Sequence, residues 1–171
     1  MEVGRAMVVE LAEKYAAVAK ENAANPVLEK LAWLMKNREV VIESRKGGTT
    51  SKSTIKIEEA QMKPIYGAKL ALLQYAKTKD ESCIADVKAA FKTDFEKLEG
   101  KPTAAVIKEV TEQTAEYVEA GLINKGQADM LVVLIECALV ARDSEKPVEL
   151  EAAVDRLVDR MYSVMTAAHK K

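Results

Sequence analysis

Apolar residues recur every three or four positions along almost the whole chain, and that recurrence breaks once, between about 38 and 58. A helix returns to the same face every 3.6 residues and a strand every two, so one segment cannot satisfy both periods. The change of period therefore dictates a helical protein carrying a short β insertion. In "REVVIESR", Val40 and Ile42 alternate with Glu39, Val41, Glu43 and Arg45. In "STIKIE", Ile55 and Ile57 alternate with Thr54, Lys56 and Glu58. Two alternating runs joined by a segment containing Gly47 and Gly48 predict a β-hairpin. The joining loop is expected to cover 46–52, longer than a tight turn, and to be mobile. An isolated hairpin is marginal in water, so this one must lean on the helices or on a partner.

The helical segments bracket it. Residues 2–22 place Met7, Leu11, Tyr15 and Val18 on one face. "NPVLEKLAWLMKN" has Asn25 as a capping residue and Pro26 in the first turn, with Val27, Leu31 and Leu34 inward. A helix starting at Glu59 or at Pro64 runs to about Lys77, with Ile65, Leu72, Leu73 and Ala76 inward. Residues 80–100 read as one continuous amphipathic helix, with Ile84, Val87, Phe91, Phe95 and Leu98 in its stripe and Gly100 at its end. Thr103 is expected to cap the next helix, which runs through Val106, Val110 and Tyr117 to Gly121. A helix over 127–142 is apolar nearly all round and belongs in the middle of a bundle. The last, about 148–168, buries Leu150, Val154, Leu157, Met161 and Met165. The fold class is mainly α, a helical bundle of about six to seven helices with one inserted β-hairpin at about 38–58. Residues 1–171 form a single domain whose only candidate seam is at 99–103.

The chain has 171 residues, enough for a core without staples, and 31% of them are charged. Four Asn and four Gln beside abundant Lys and Glu lean toward a thermophile. The longest apolar run, 130–141, is too short to cross a bilayer and contains Glu136. With no secretory leader pattern at the start, a cytoplasmic protein is expected. Cys83 and Cys137 sit within apolar helical patterns and read as two buried free thiols.

No residue pattern names an enzyme. The single histidine, His169, sits in a C-terminal "AAHKK" expected to fray, which leaves no Ser–His–Asp triad and no histidine-rich zinc site. No metal and no cofactor are expected. The carboxylate pairs Glu58/Glu59 and Asp155/Asp159 read as solvated faces, "DRLVDR" at 155–160 as a surface ladder, and Glu136 as a rim or ion-paired carboxylate. "KGGTTSKST" fails as a phosphate-binding loop of nucleotide hydrolases. Lys46 and Ser51 stand where glycines are required, and the segment joins strand to strand.

What survives is charge. Between Ser44 and Lys79 there are eight basic residues against Glu58 and Glu59, so a segment of +6 sits in a chain of net charge −1. Such segregation points to an acidic partner. In the hairpin, Arg45, Lys46, Lys52 and Lys56 supply charge. Gly47 and Gly48 let backbone N–H groups approach, and Thr49, Thr50, Ser51 and Ser53 offer hydroxyls. Lys63 and Lys69 extend the cationic set. These groups suit a phosphate backbone, either RNA or single-stranded DNA. Tyr66 and Tyr75 either stack on bases or pack in the bundle, with packing the expected case. A solubilising surface loop is the competing reading of the same residues.

A helical, thermophile-like chain with a basic hairpin, "SRKGGTTSKSTIK", inserted between helices resembles the small subunit of archaeal CRISPR interference complexes of the Cascade type. That resemblance implies a non-catalytic bundle that helps hold guide RNA and target strands inside a larger complex, in antiviral defence. The acidity of the remaining helices suggests surfaces that face protein subunits, further copies of the chain, or solvent. The alternative is a structural or adaptor bundle that binds another protein through the hairpin edge.

Overall fold

The structure is a computed structural model and describes residues 13–170, the side chains of 44–46 excepted. Of the first expected helix, Met7 and Leu11 lie outside the described residues. Its last part is α1, Ala16–Glu21. There follow α2 (Pro26–Lys36), β1 (Glu39–Lys46), β2 (Thr49–Lys56), α3 (Glu59–Thr78), α4 (Glu81–Ala90), α5 (Lys92–Glu96), α6 (Thr103–Glu119), α7 (Lys125–Asp143) and α8 (Pro147–His169). The chain is a mainly-α bundle with one inserted two-stranded antiparallel hairpin.

The helix count is eight among the described residues because the expected helix over 80–100 breaks at Phe91. Phe91, at φ −103° and ψ 6°, ends α4 and starts α5. The break lets one stripe serve two clusters. Phe91 is 1% exposed in the main core, and Leu98 joins a smaller cluster with Val106, Ala138 and Leu139. Phe95 packs against both.

The α8 helix is the spine. Leu150, Val154, Leu157, Val158, Met161 and Met165 are all buried, and α8 touches α2, α3, α7 and β1. The α7 helix, expected in the middle, is flanked by α5, α6 and α8 but leaves Leu131 41% exposed. The α6 helix packs on α7 and leaves Tyr117 39% exposed.

Several caps follow from local chemistry. Asn25 Oδ1 accepts from Val27 N at 3.0 Å and Leu28 N at 3.4 Å, with Pro26 at the first helical position. Asn124 and Gln127 form a reciprocal capping box at the start of α7. Thr103 is not a cap. It is the first residue of α6, and its hydroxyl donates to Asp143 Oδ2 at 3.1 Å. Arg142 donates to the carbonyls of Leu98 and Lys101 and to Asp143, so it holds the 98–103 connection against the end of α7. Gly100, at φ +75°, closes that connection in a conformation that favours glycine.

Cys83 and Cys137 are buried free thiols. Burial pushes the Cys137 thiol up to about 12. The residues 155–160 form no internal ladder. Asp155, Arg156 and Asp159 each reach a different helix, pairing with Lys69 of α3, Glu136 of α7 and Lys30 of α2. Glu136 is ion-paired as expected, 3.1 Å from Arg156. His169 lies in the last turn of α8 edge-on to Trp33, with centroids 5.5 Å apart, rather than in a frayed tail.

Lys69 is 3% exposed and stands between Asp155 at 2.9 Å and Glu151 at 3.5 Å. The closer Asp155 oxygen lies off the donor direction, and the other accepts at 3.3 Å. Removing the ammonium strands two carboxylates. Lys69→Ala should destabilise the protein by about 2–3 kcal/mol in urea unfolding, less than for a fully buried pair because both carboxylates keep contact with water. Burial already raises the Asp155 pKa, and Lys69 opposes that rise. A raised carboxylate favours the fold below its unfolded value and loses that contribution as pH rises through the folded one. The deficit of Lys69→Ala should therefore be smaller near pH 4 than at pH 7, and equal deficits would contradict this pairing.

Candidate functional site

The hairpin is a regular ladder in which Lys46 faces Thr49, Ser44 faces Ser51, Ile42 faces Ser53 and Val40 faces Ile55. The connection is therefore the two residues Gly47 and Gly48, not a loop over 46–52. Both glycines take positive φ, +55° and +84°, as a tight turn matching the twist of the strands requires. The run Thr49–Thr54 lacks an alternating pattern because neither of its faces is buried. Every residue from 47 to 54 is exposed.

The hairpin's foot is anchored. Val40 is 9%, Ile55 2% and Ile57 3% exposed, and Ile42 is half-buried. Ile57 N donates to Arg38 O at 2.8 Å, extending the ladder one pair below the strands. Gly126 makes room for the docking. A Cβ there would stand 2.8 Å from Val164 Cγ1 and 3.1 Å from Ile55 Cδ1. A bulkier residue at the second position of α7 would push the hairpin off α8.

The register separates the expected site residues. Glu39, Val41, Glu43 and Arg45 share one face with Thr50, Lys52, Thr54 and Lys56, away from the helices. Lys46 and Thr49 occupy pair positions of the opposite face. Lys52 lies 3.5 Å from Glu43 across the strands, and Lys56 lies 3.6 Å from Glu58. Such exposed pairs are worth little and exchange readily. Lys63 is on α3, half-buried, and pairs with Glu59 at 3.2 Å one turn away. Lys69 does not belong to the site. Its ammonium is enclosed between α3 and α8, where no external phosphate reaches it. Tyr66 and Tyr75 pack against the main core.

Carboxylates from outside the linear +6 segment thus offset about half of its excess charge. Lys52, Lys56, Lys63, Lys69 and Lys77 each have a carboxylate within 3.6 Å, and for Lys52, Lys69 and Lys77 it comes from outside residues 44–79. In register, Arg45, Lys46 and Lys52 belong to the projecting end of the hairpin, where Glu43 is paired with Lys52.

Sequence reasoning missed a cleft at the hairpin's foot, where Lys36, Arg38 and His169 meet Lys56. Its parts are distant in sequence, and no local pattern joins 36, 56 and 169. Among the described residues no group of three or more His, Cys, Asp or Glu side chains is placed to hold a metal, and no helix is long and apolar enough to cross a membrane. No protein-family model, curated protein or solved structure matches the chain.

Two expectations follow from the register. Amides of Val40, Ile42, Ser53 and Ile55 point across the ladder and should exchange slowly, while those of Val41, Glu43, Lys52 and Thr54 point outward and should exchange fast. Uniformly fast exchange over 40–55 in a hydrogen-exchange experiment would mean that the hairpin does not dock. Gly126→Ala should lose about 1–2 kcal/mol in thermal unfolding, the crowding at Val164 and Ile55 exceeding the gain in helix propensity.

Proposed function

We propose that the chain is a non-catalytic subunit of a nucleoprotein complex that holds a nucleic-acid backbone against the end of its hairpin. The observation that carries this reading is the separation of charge in space. A net-acidic chain projects one regular β element, exposed throughout 47–54, in which cations, hydroxyls and two left-handed glycines share a short stretch. Lysine and arginine neutralise phosphates with release of counterions, and threonine and serine hydroxyls donate to phosphate oxygens. Outer-face positions of one strand repeat about every 7 Å, so Thr50, Lys52, Thr54 and Lys56 offer contacts in a line along the hairpin. No base-reading helix or aromatic platform lies on this element, which favours contacts insensitive to sequence.

A small subunit of a CRISPR interference complex is one setting for such a protein, supported by the bundle with its inserted hairpin and by nothing finer. The outward-pointing peptide groups of Thr50, Lys52 and Thr54 favour a second reading, strand addition to a partner protein's sheet.

Salt separates the two. If Arg45, Lys46, Lys52 and Lys56 each neutralise a phosphate, the log–log salt slope for single-stranded RNA or DNA should be about −3. Replacing all four by alanine should remove most of that slope and leave the melting temperature of the bundle nearly unchanged. A fluorescence titration at several salt concentrations reads both. Binding by the fourfold variant with the wild-type slope would overturn the assignment, and a shallow slope in the parent chain would favour strand addition.

A further inference from the structure

The foot of the hairpin opens into a cleft of about 350 Å³ whose lining comes from three stretches of the chain. Lys36 ends α2, Arg38 and Glu39 lead into and begin β1, Lys56 and Glu58 follow at the end of β2, and His169 closes α8. Lys56 belongs both to this lining and to the outer face of the hairpin, so the two cationic surfaces are continuous.

Two helices end here, and helix C-termini ordinarily repel anions through their free carbonyls. Three of the last four of α2 are already occupied, Leu34 O by Asn37 N at 3.2 Å. Trp33 O accepts from Asn37 Nδ2 at 2.8 Å and from Asn37 N at 3.0 Å, and Met35 O accepts from Arg38 Nε at 3.2 Å. At the end of α8, Lys170 N donates to Thr166 O at 3.2 Å. Lys56 and Glu58, 3.6 Å apart, offset each other, which leaves Lys36 and Arg38 against Glu39. Lysines elsewhere on the helices, such as Lys30, Lys77 and Lys88, are held by carboxylates at 2.6–2.7 Å. Among the described residues Lys36 and Arg38 have no ion-pair partner.

We infer that this cleft binds a phosphate of the nucleic-acid strand held by the hairpin, with Lys36 and Arg38 as counterions and the His169 imidazole as a hydrogen-bond donor at its edge. The inference rests on the reading above and extends it to a path. The strand runs from the glycine turn along Lys52 and Lys56 to the foot, about 26 Å for an eight-residue strand. The guanidinium suits this position. Its Nε holds the helix end while its outer nitrogens remain for the anion.

The chain supplies its own reporters, because Trp33 is its only tryptophan and His169 its only histidine, and their rings lie 5.5 Å apart at this foot. Single-stranded RNA of about 16 nucleotides is titrated into the whole chain. Anisotropy of labelled RNA reports binding, and tryptophan emission and the His169 ring resonances report the foot. Emission and resonances should change in step with anisotropy. In Lys36→Gln/Arg38→Gln the tryptophan response should be lost and the salt slope should fall in magnitude by about 1.4, from about −4.2 for six phosphate contacts to the roughly −3 of the hairpin alone. Lys36→Glu alone, at an exposed position without a partner, guards against misfolding of the double variant and should lower the slope in the same direction. RNA binding with unchanged emission and resonances, or an unchanged slope in these variants, overturns the inference while the hairpin reading stands. Absence of RNA binding by the parent chain overturns both. Replacing Arg45, Lys46 and Lys52 by alanine should weaken binding yet preserve the tryptophan response of the RNA that still binds.

Discussion

The main core of this fold closes on the apolar stripe of α8. Leu150, Val154, Leu157 and Met165 are at most 1% exposed, and they receive side chains from α2, α3 and α7 and the foot of the hairpin. A 23-residue helix with Pro147 at its first position is long enough to reach both ends of the bundle. Truncating a buried leucine in such a stripe costs about 2–5 kcal/mol, a large share of a domain's net stability. The hairpin's position depends on the same helix. Val164, on α8, and Ile55, on β2, crowd the space that Gly126 leaves open on α7. The site's geometry is thus set by a three-way apolar contact among α7, α8 and β2.

The polar side of α8 orders its neighbours. Asp155, Arg156 and Asp159 are tied to three different helices, and only the Lys69–Asp155 pair has one partner fully enclosed. The enclosed pair demands a register between α3 and α8, since an unpaired ammonium there is costly. The exposed pairs are individually weak and leave the surface adaptable. This unequal treatment explains why a run of lysines that looks like one basic patch in the linear sequence ends up serving different purposes. Lys69 fixes a helix register, Lys77 meets Glu21 on α1, and only the hairpin keeps its cations grouped.

The hairpin combines a dry foot with a wet end. Below Ile42 and Ser53 its inner face belongs to the core, and beyond that pair every residue of β2 is open to solvent. A tight glycine turn shortens the connection to two residues and lengthens the strands, so the polar residues are held in extended backbone rather than in a slack loop. Pre-ordering of this kind lowers the entropic cost of binding an extended polymer. The foot cleft adds a fixed end point, braced by Trp33 packed edge-on against Tyr162 and His169.

The sequence by itself determined which segments are helix and which are strand, because periods of 3.6 and 2 are written in the spacing of apolar residues such as Leu150–Val154–Leu157–Met161 and Val40–Ile42. It also determined the cap at Asn25, which uses one residue and its near neighbours, and the location of the basic insertion. Tertiary structure alone decided what crosses between elements. The break at Phe91 answers to two separate apolar clusters, so a continuous stripe could not reveal it. The extended pairing of Thr49–Thr54 depends on a partner strand and on no buried face, so no alternation marked it. The removal of Lys69 from the site required Asp155, 86 positions away, and the foot cleft required the end of α8 to return beside Lys36. Local spacing records the conformation of a segment, whereas charge pairing and clefts belong to surfaces that exist only after distant segments have packed.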